Sequence, residues 1–346
     1  MSTTSTTSTT TPSTSTAAVD AETSTPWLVG ARGGDREAFD MLIVPMRDQL
    51  LAHCYRMVGS IHDADDALQD TMLRAWTGLS GFDGRSELST WLYRIATNAS
   101  LDAISRNARR VLPVDLTADD SSSAEPHRWI EPFAHAVVPE SPEAAAVRRE
   151  SVELAFVTAL QILPANQRAI LLLRDVLSFS AKDTAAILGA TVASVTSGLQ
   201  RARRTVEQRL PETPQHAVIE GLGRTGTDQL ATQYIDAWER SDTEALVALL
   251  CADATFSMPP HAAWFSGRSA ITEFLADQPM RHPWRLVRAE VGGQLGFACY
   301  TLEPSTGSWT AHSLDVLTLH HDGIAAIVGF LDPSLVPRLG LPAVLS

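Results

Sequence analysis

Cysteine is scarce in this chain of 346 residues: there are three, Cys54, Cys251 and Cys299, and no pair of them has the CxxC spacing. That scatter excludes a zinc ribbon or a disulfide framework and suits a reducing compartment. Long apolar runs are missing too, and none reaches the length of a membrane span. The stretch from Met1 to about Pro26 is rich in Ser and Thr but has neither a basic start nor an apolar h-region. It reads as a disordered tail and not as a signal peptide. No internal repeat is visible. Neither a metal nor a cofactor is expected, and the expected location is the cytoplasm.

Net positive charge is also lacking: the formal charge is −13 at pH 7. The average conceals two basic stretches. One carries Arg201, Arg203, Arg204 and Arg209 against Glu207, and the other carries Arg94, Arg106, Arg109 and Arg110 against Asp102. Two basic helices on an acidic protein can still hold phosphates, because counterion release depends on the contacting face and not on the total. Charge alone gives weak attraction, which fits a protein delivered to nucleic acid by a partner.

With 45% of residues apolar and 19% charged, the chain can bury real cores, and its length predicts two or three domains. The pattern divides into a tail (1–30), a helical block (31–110), a Pro/Asp/Ser-rich linker (111–142), a second helical block (143–212), a Pro/Gly connector (213–227) and an α+β domain (228–346). In the last, residues 254–258, 284–291, 296–302 and 311–320 alternate like strands.

The second helical block carries the clearest motif. Ser180, with Asp183 three residues on, opens a short helix that ends at Gly189. Thr191 caps a longer one, in which Val192, Val195, Leu199, Ala202 and Val206 form one stripe. Its opposite face shows Ser194, Thr196, Ser197, Gln200, Arg201 and Arg204. The pair reads as a helix-turn-helix or as a plain helical hairpin with a solvated basic face. Gly198, inside the second helix, costs about 1 kcal/mol against alanine. It either lets the DNA backbone approach closely or weakens the helix. In the first block, Asp63, Asp66 and Asp70 recur at helical spacing as an acidic stripe, with Ala67, Leu68, Leu73 and Trp76 offering apolar contacts. A helix from Leu88 to about Arg109 places Leu92, Ile95, Ala96, Ala99 and Ala103 on a core stripe and Arg94, Asn98, Ser105 and Arg109 elsewhere.

These motifs, in this order, resemble the sigma-70 family of RNA polymerase subunits, in its extracytoplasmic-function group. The likeness rests on His62 to Thr71 with Arg74-Ala75-Trp76, on Trp91 to Asn98 with Asp102 and Arg106, and on Leu163-Pro164, Gln167-Arg168, Arg174-Asp175, Leu188-Gly189, Val195 and Arg201-Ala202-Arg203. The resemblance implies a region 2 helical bundle and a region 4 helix-turn-helix, with core RNA polymerase and promoter DNA as partners and no chemistry of its own. Asp63, Asp66, Gln69 and Asp70 would dock on the clamp region of the β′ subunit. Trp91, Arg94, Asn98, Arg106, Arg109 and Arg110 would face the −10 element, with Trp91 either a stacking wedge or a core residue. The six polar residues of the longer helix would face the −35 element. The linker would either tether or thread the polymerase channel, its Asp115, Asp119 and Asp120 mimicking nucleic acid.

From Asp228 the chain resembles the SnoaL-like, NTF2-like superfamily, through Tyr234 to Trp238, Asp242, Leu249-Leu250, Asp253-Ala254, Ser257 to Pro260 and Trp264 to Arg268. That implies an α+β cone with an apolar pocket, for which Phe256, Met258, Trp264, Trp284, Trp309 and His312 are the candidate lining. His312 and Asp315, three apart, would point to opposite faces of a strand, so no acid–base dyad emerges. The expected role is control of the sigma modules by intramolecular docking. The alternative is an enzyme or ligand sensor whose pocket acts on a small molecule.

Overall fold

The computed structural model of the chain describes residues 21–106, 110–115, 128–134, 152–210 and 213–345. Its first module consists of α1 (Ala21–Arg32), α2 (Arg36–Ile43), α3 (Arg47–Val58), α4 (Ile61–Gly78) and α5 (Leu88–Ser105). Side-chain caps set two of the starts. Asp35 Oδ1 accepts the N–H groups of Glu37 and Ala38 at 2.9 and 3.3 Å, and Ser60 Oγ accepts that of Asp63 at 3.1 Å. Leu50, Tyr55, Met57, Ile61 and Leu92 are fully buried and form the centre of the module. Among the described residues no helix is long and apolar enough to cross a membrane.

The linker turns back on this module. β1 (Arg110–Val111) and β2 (Arg128–Trp129) pair in parallel. Beyond them Glu131 is fastened at the α3–α4 turn. Its N–H donates to Gly59 O at 3.0 Å, its Oε2 accepts Ser60 Oγ at 2.7 Å, and its main-chain oxygen accepts the Tyr55 hydroxyl at 2.9 Å. Asp119 and Asp120 lie outside the described residues.

The second module holds α6 (Leu154–Ile162), α7 (Ala165–Leu171) continuing as a π turn over Leu172–Val176, α8 (Ala181–Leu188) and α9 (Val192–Glu207). Gly189, at φ +61, makes the left-handed turn between α8 and α9, and Thr191 Oγ1 caps α9 through the Ser194 N–H at 3.1 Å. Val195, Leu199, Ala202 and Val206 are buried, as their spacing predicts, but Val192 is 48% exposed. Gly198 is buried instead, and a Cβ there would lie 2.7 Å from Ile170 Cδ1. The glycine therefore serves the packing of α9 on α7, which corrects the expectation that it faces DNA or merely weakens the helix.

The two helical modules touch directly. Arg168, 4% exposed, donates from α7 to Met57 O of α3 and to Gln161 Oε1. Gln161 Nε2 donates to Arg56 O at 3.3 Å. The Phe179 ring lies edge-on to Tyr93 of α5, with centroids 5.5 Å apart.

The C-terminal domain begins with α10 (Gln215–Glu239) and α11 (Thr243–Ala248). The stretch read as a connector is thus helical from Gln215 on, with its glycines surviving as a kink at Gly223 (φ 65°, ψ 173°). The strands β3 (Leu250–Ser257), β4 (Trp264–Ser266), β5 (Trp284–Val291), β6 (Gln294–Glu303), β7 (Ser308–His320) and β8 (Gly323–Phe330) form a sheet of order β4-β3-β8-β7-β6-β5. Within it β3 and β8 run parallel and the other neighbours antiparallel. α12 (Gly267–Asp277) follows β4, and α13 (Leu335–Arg338) and β9 (Val344–Leu345), which pairs with β7, end the chain. The four strands expected from alternation are present; β4, β8 and α12 were not expected.

Both faces of the sheet are apolar. Leu286, Leu295, Phe297, Leu317 and Ile327 face Tyr234, Trp238, Leu246, Ile271 and Leu275 of α10, α11 and α12. Val291, Leu314, Val316, Val328 and Phe330 point the other way, into one cluster with the cores of the two helical modules. Polar anchors fix that seam. Gln294 Oε1 accepts the Leu154 N–H at 2.7 Å, and buried Glu153 accepts the N–H groups of Gln215 and His216 at 3.3 and 3.1 Å. Gly292 sits at φ +57 beneath Val152, where a Cβ would come within 2.7 Å of the Val152 carbonyl. Gly292→Ala is therefore expected to cost about 2–4 kcal/mol, from left-handed strain plus overpacking, read as a lowered denaturant midpoint with earlier proteolysis at the seam.

Candidate functional site

Helix α4 presents part of the expected acidic stripe. Asp66 and Gln69 are exposed, and Asp70, half-buried, accepts Arg74 at 2.7 Å. Leu73 and Trp76 are exposed beside them. Asp63 does not join this face: its Oδ2 takes Arg110 at 2.6 Å and Arg128 at 2.9 Å, closing the linker onto the module. Ala67 and Leu68 are buried core residues and offer no contact outward. Asp65, on the same helix, accepts Arg338 of α13, and Ser334 Oγ lies 3.4 Å from His62 Nε2. The C-terminal domain thus touches the start of α4.

On α5, Arg94, Asn98 and Arg106 are exposed, and Arg106 Nε folds back to Asp102 O at 3.1 Å. Trp91 is half-buried, its ring 5.3 Å from Phe82, so here it acts in packing. Arg110 is 9% exposed and spent on Asp63 and on the Trp129 carbonyl at 2.5 Å, so in this arrangement it cannot meet a phosphate. Arg109 lies outside the described residues.

On α9, Ser194, Thr196, Ser197, Gln200, Arg201 and Arg204 all line the exposed face. The hydroxyls of Thr196 and Ser197 return to Val192 O and Ser194 O at 3.0 and 3.2 Å, the local bonds such side chains make within helices. Arg203 pairs with Asp175 at 2.7 Å across to the π turn, holding α9 at its angle.

Of the six candidate pocket residues, Phe256, Met258 and Trp284 share the inner cluster of the sheet and His312 lies against Trp284, while Trp264 and Trp309 lie apart. Phe256 packs on Phe274 at 5.3 Å, Met258 is half-buried, and Trp264 is 40% exposed on β4. Trp284 fills the space between Trp238 and His312, while Trp309 lies in a separate cluster under Arg285, 4.7 Å from its ring centroid. The polar feature of the interior is different. The hydroxyl of fully buried Tyr234 donates to Asp315 Oδ2 at 2.8 Å, and its ring stacks on Phe297 at 4.6 Å. Burial pushes the Asp315 carboxyl up to about 6, against the lowering effect of the Tyr234 and Cys299 hydrogen bonds. His312 is exposed, its ring 5.4 Å from Trp284 where the β6–β7 register shifts, and Asp315 is buried.

Comparison with known proteins agrees with this organisation. The Sigma-70 region 2 family matches residues 42–110, Sigma-70 region 4 matches 153–206, and the SnoaL-like domain matches 231–327. The ECF RNA polymerase sigma factor SigG of Mycobacterium tuberculosis is 39% identical over 335 residues, covering 94% of this chain and 89% of that protein. The chain belongs to the extracytoplasmic-function group of sigma-70 family RNA polymerase sigma factors. The RNA polymerase sigma-H factor of Pseudomonas aeruginosa is 32% identical over 177 residues, covering 51% of this chain and 88% of its own length. The crystal structure of the sigma factor SigJ of Mycobacterium tuberculosis shares the fold, with a TM-score of 0.58 at 20% identity over 86% of this chain and 98% of that one.

Several important residues of this sigma factor were not singled out from sequence. Glu153, Gln215, Gln294 and Arg338 join the modules across 62 to 273 residues of chain, and no local spacing announces such pairs. Asp315 was weighed against His312, its sequence neighbour, whereas its partner Tyr234 lies 81 residues away. Because the folded carboxyl titrates near 6 against 3.8 for an ordinary aspartate, its contribution to stability is complete below about pH 4. It is lost as the pH rises through 6. Asp315→Asn should therefore flatten this acid-side change and stabilise the folded chain at neutral pH by roughly 1–3 kcal/mol, checked by thermal midpoints across a pH series.

Proposed function

We propose that this sigma factor exists in a closed state, in which the SnoaL-like domain holds regions 2 and 4 together, and in an open state that initiates transcription in the cytoplasm. In the open state Asp66, Gln69, Asp70 and their apolar neighbours on α4 meet the clamp of the β′ subunit. Arg94, Asn98 and Arg106 of α5 face the −10 element, and the outer face of α9 faces the −35 element. Exposed amide and guanidinium groups on helices are the donors that read base edges and phosphates.

The observation that carries the reading is the direct packing of region 4 on region 2, with Phe179 against Tyr93 and Arg168 against Met57. Elements centred at −35 and −10 lie roughly 25 base pairs apart, about 85 Å of B-DNA. Side chains in mutual contact cannot span that distance, so promoter recognition requires the modules to separate. A domain whose sheet packs into the same core, and whose Arg338 holds Asp65 on the polymerase-facing helix, supplies the restraint.

Arg338→Ala removes a partly buried ion pair worth on the order of 1 kcal/mol, so affinity for core polymerase should rise severalfold in a titration of labelled sigma factor. Unchanged or weaker binding would contradict the closed-state reading. Separately, Arg201→Ala should reduce run-off transcription about tenfold on promoters that depend on the −35 element. Asn98→Ala should reduce it on every promoter the protein uses, and activity of wild-type level in both variants would remove these helices from promoter recognition.

A further inference from the structure

We propose that Cys251, His320 and Asp322 form a binding site for a thiophilic divalent cation of the zinc class, on the rim of the C-terminal sheet. Neither the sigma machinery nor the Tyr234–Asp315 pair uses these residues. Cys251 is the second residue of β3, while His320 ends β7 and Asp322 occupies the β7–β8 turn. The Cys251 Sγ, one His320 ring nitrogen and one Asp322 carboxylate oxygen all lie within 4.8 Å of one another. Donors bound to one tetrahedral zinc-sized ion at 2.0–2.3 Å stand about 3.5 Å apart. Closing on a cation therefore needs only small side-chain movements.

The backbone explains how residues 71 apart in sequence come together. Leu250 pairs with Ile324 in the parallel ladder, and the Ile324 N–H donates to Leu249 O at 2.9 Å. Gly323, at φ +147, presses the turn against the start of β3, where a Cβ would fall 2.6 Å from the Leu249 carbonyl and 3.5 Å from the Cys251 nitrogen. Only glycine permits that approach, and the approach sets Asp322 over Cys251.

The side chains are arranged as a ligand set held by its own hydrogen bonds. Asp322 Oδ1 accepts both the Cys251 thiol at 3.1 Å and His320 Nδ1 at 2.6 Å. The second His320 nitrogen lies 3.1 Å from His321 Nδ1. When Nδ1 binds a metal, Nε2 carries the proton and donates to His321, the outer partner that metal-binding imidazoles usually have. An ion pair within the turn accounts for His320 and Asp322 alone. It leaves out Cys251, 5% exposed on another strand, whose thiol joins the same oxygen. Without a cation the thiol keeps its proton and donates it to Asp322 Oδ1. Binding exchanges the sulfur–hydrogen bond for a sulfur–metal bond and releases one proton to solvent. A thiolate, an imidazole and a carboxylate suit zinc or cobalt and not magnesium or calcium.

The test is a titration of the full chain with Co²⁺, then displacement by Zn²⁺. One equivalent should bind with a dissociation constant on the order of 1 µM or tighter, giving a thiolate-to-cobalt charge-transfer band that Zn²⁺ abolishes. Cys251→Ser should remove the band. His320→Gln and Asp322→Asn, both in an exposed turn where folding is not at stake, should weaken binding more than about tenfold, and His321→Ala about tenfold. A band that survives in Cys251→Ser, binding equal in His320→Gln and Asp322→Asn, or no binding at micromolar cation would each overturn the site.

Discussion

The outer face of the C-terminal sheet carries Val291, Leu314, Val316, Val328 and Phe330, while α10, α11 and α12 pack on the opposite face. Those five side chains represent several kcal/mol of unfavourable hydration if left in water, and the two sigma modules are what cover them. Polar contacts between the modules gather around that cover. The linker folds back at Glu131, region 4 begins with Glu153 capping the first helix of the next domain, and region 2 receives Arg338 on α4. The sheet gives the association its strength, and the buried polar anchors give it one register. Leaving any of them without its partner inside the seam would cost more than its hydrogen bond contributes.

In regions 2 and 4 the surfaces proposed to meet polymerase and DNA differ from those that form the seam. α4 keeps Asp66, Gln69, Leu73 and Trp76 outward, and α9 keeps its polar and basic face outward, although both helices belong to the shared core. What the packing restrains is their separation. In the proposed closed state the recognition helices stay intact and only their separation is restrained, at the cost of a few contacts such as Phe179 on Tyr93.

Much of this was legible in the sequence where the signal was local. The helix-turn-helix was readable because Ser180, Gly189 and Thr191 each act within a few residues, and the stripe from Val195 to Val206 is periodic. The exposed polar face of α9 follows from the same period. The stripe Asp63–Asp66–Asp70 was only partly right, because helical spacing could not reveal that Arg110 and Arg128 return from the linker to claim Asp63. Gly198 was misread for a related reason: its neighbour Ile170 lies 28 residues away on α7. The aromatic residues of the C-terminal domain were grouped by type, yet alternation along strands divides them between clusters, with Trp309 apart from Trp284. The cation site escaped notice because His320 and Asp322 lie about 70 residues from Cys251, and a Gly323 turn brings them across the sheet.

The central claim is that regions 2 and 4 are held in contact in the free protein and must part to recognise a promoter. The most direct measurement is the distance between spin labels on exposed α5 and α9, at Ser105 and Glu207, in the full chain alone and then in complex with core polymerase and promoter DNA. The account predicts one narrow, short distance in the free chain, and an increase toward the roughly 85 Å separation of the two promoter elements in the complex. A broad distribution in the free chain, or a short distance that persists on the promoter, would contradict it.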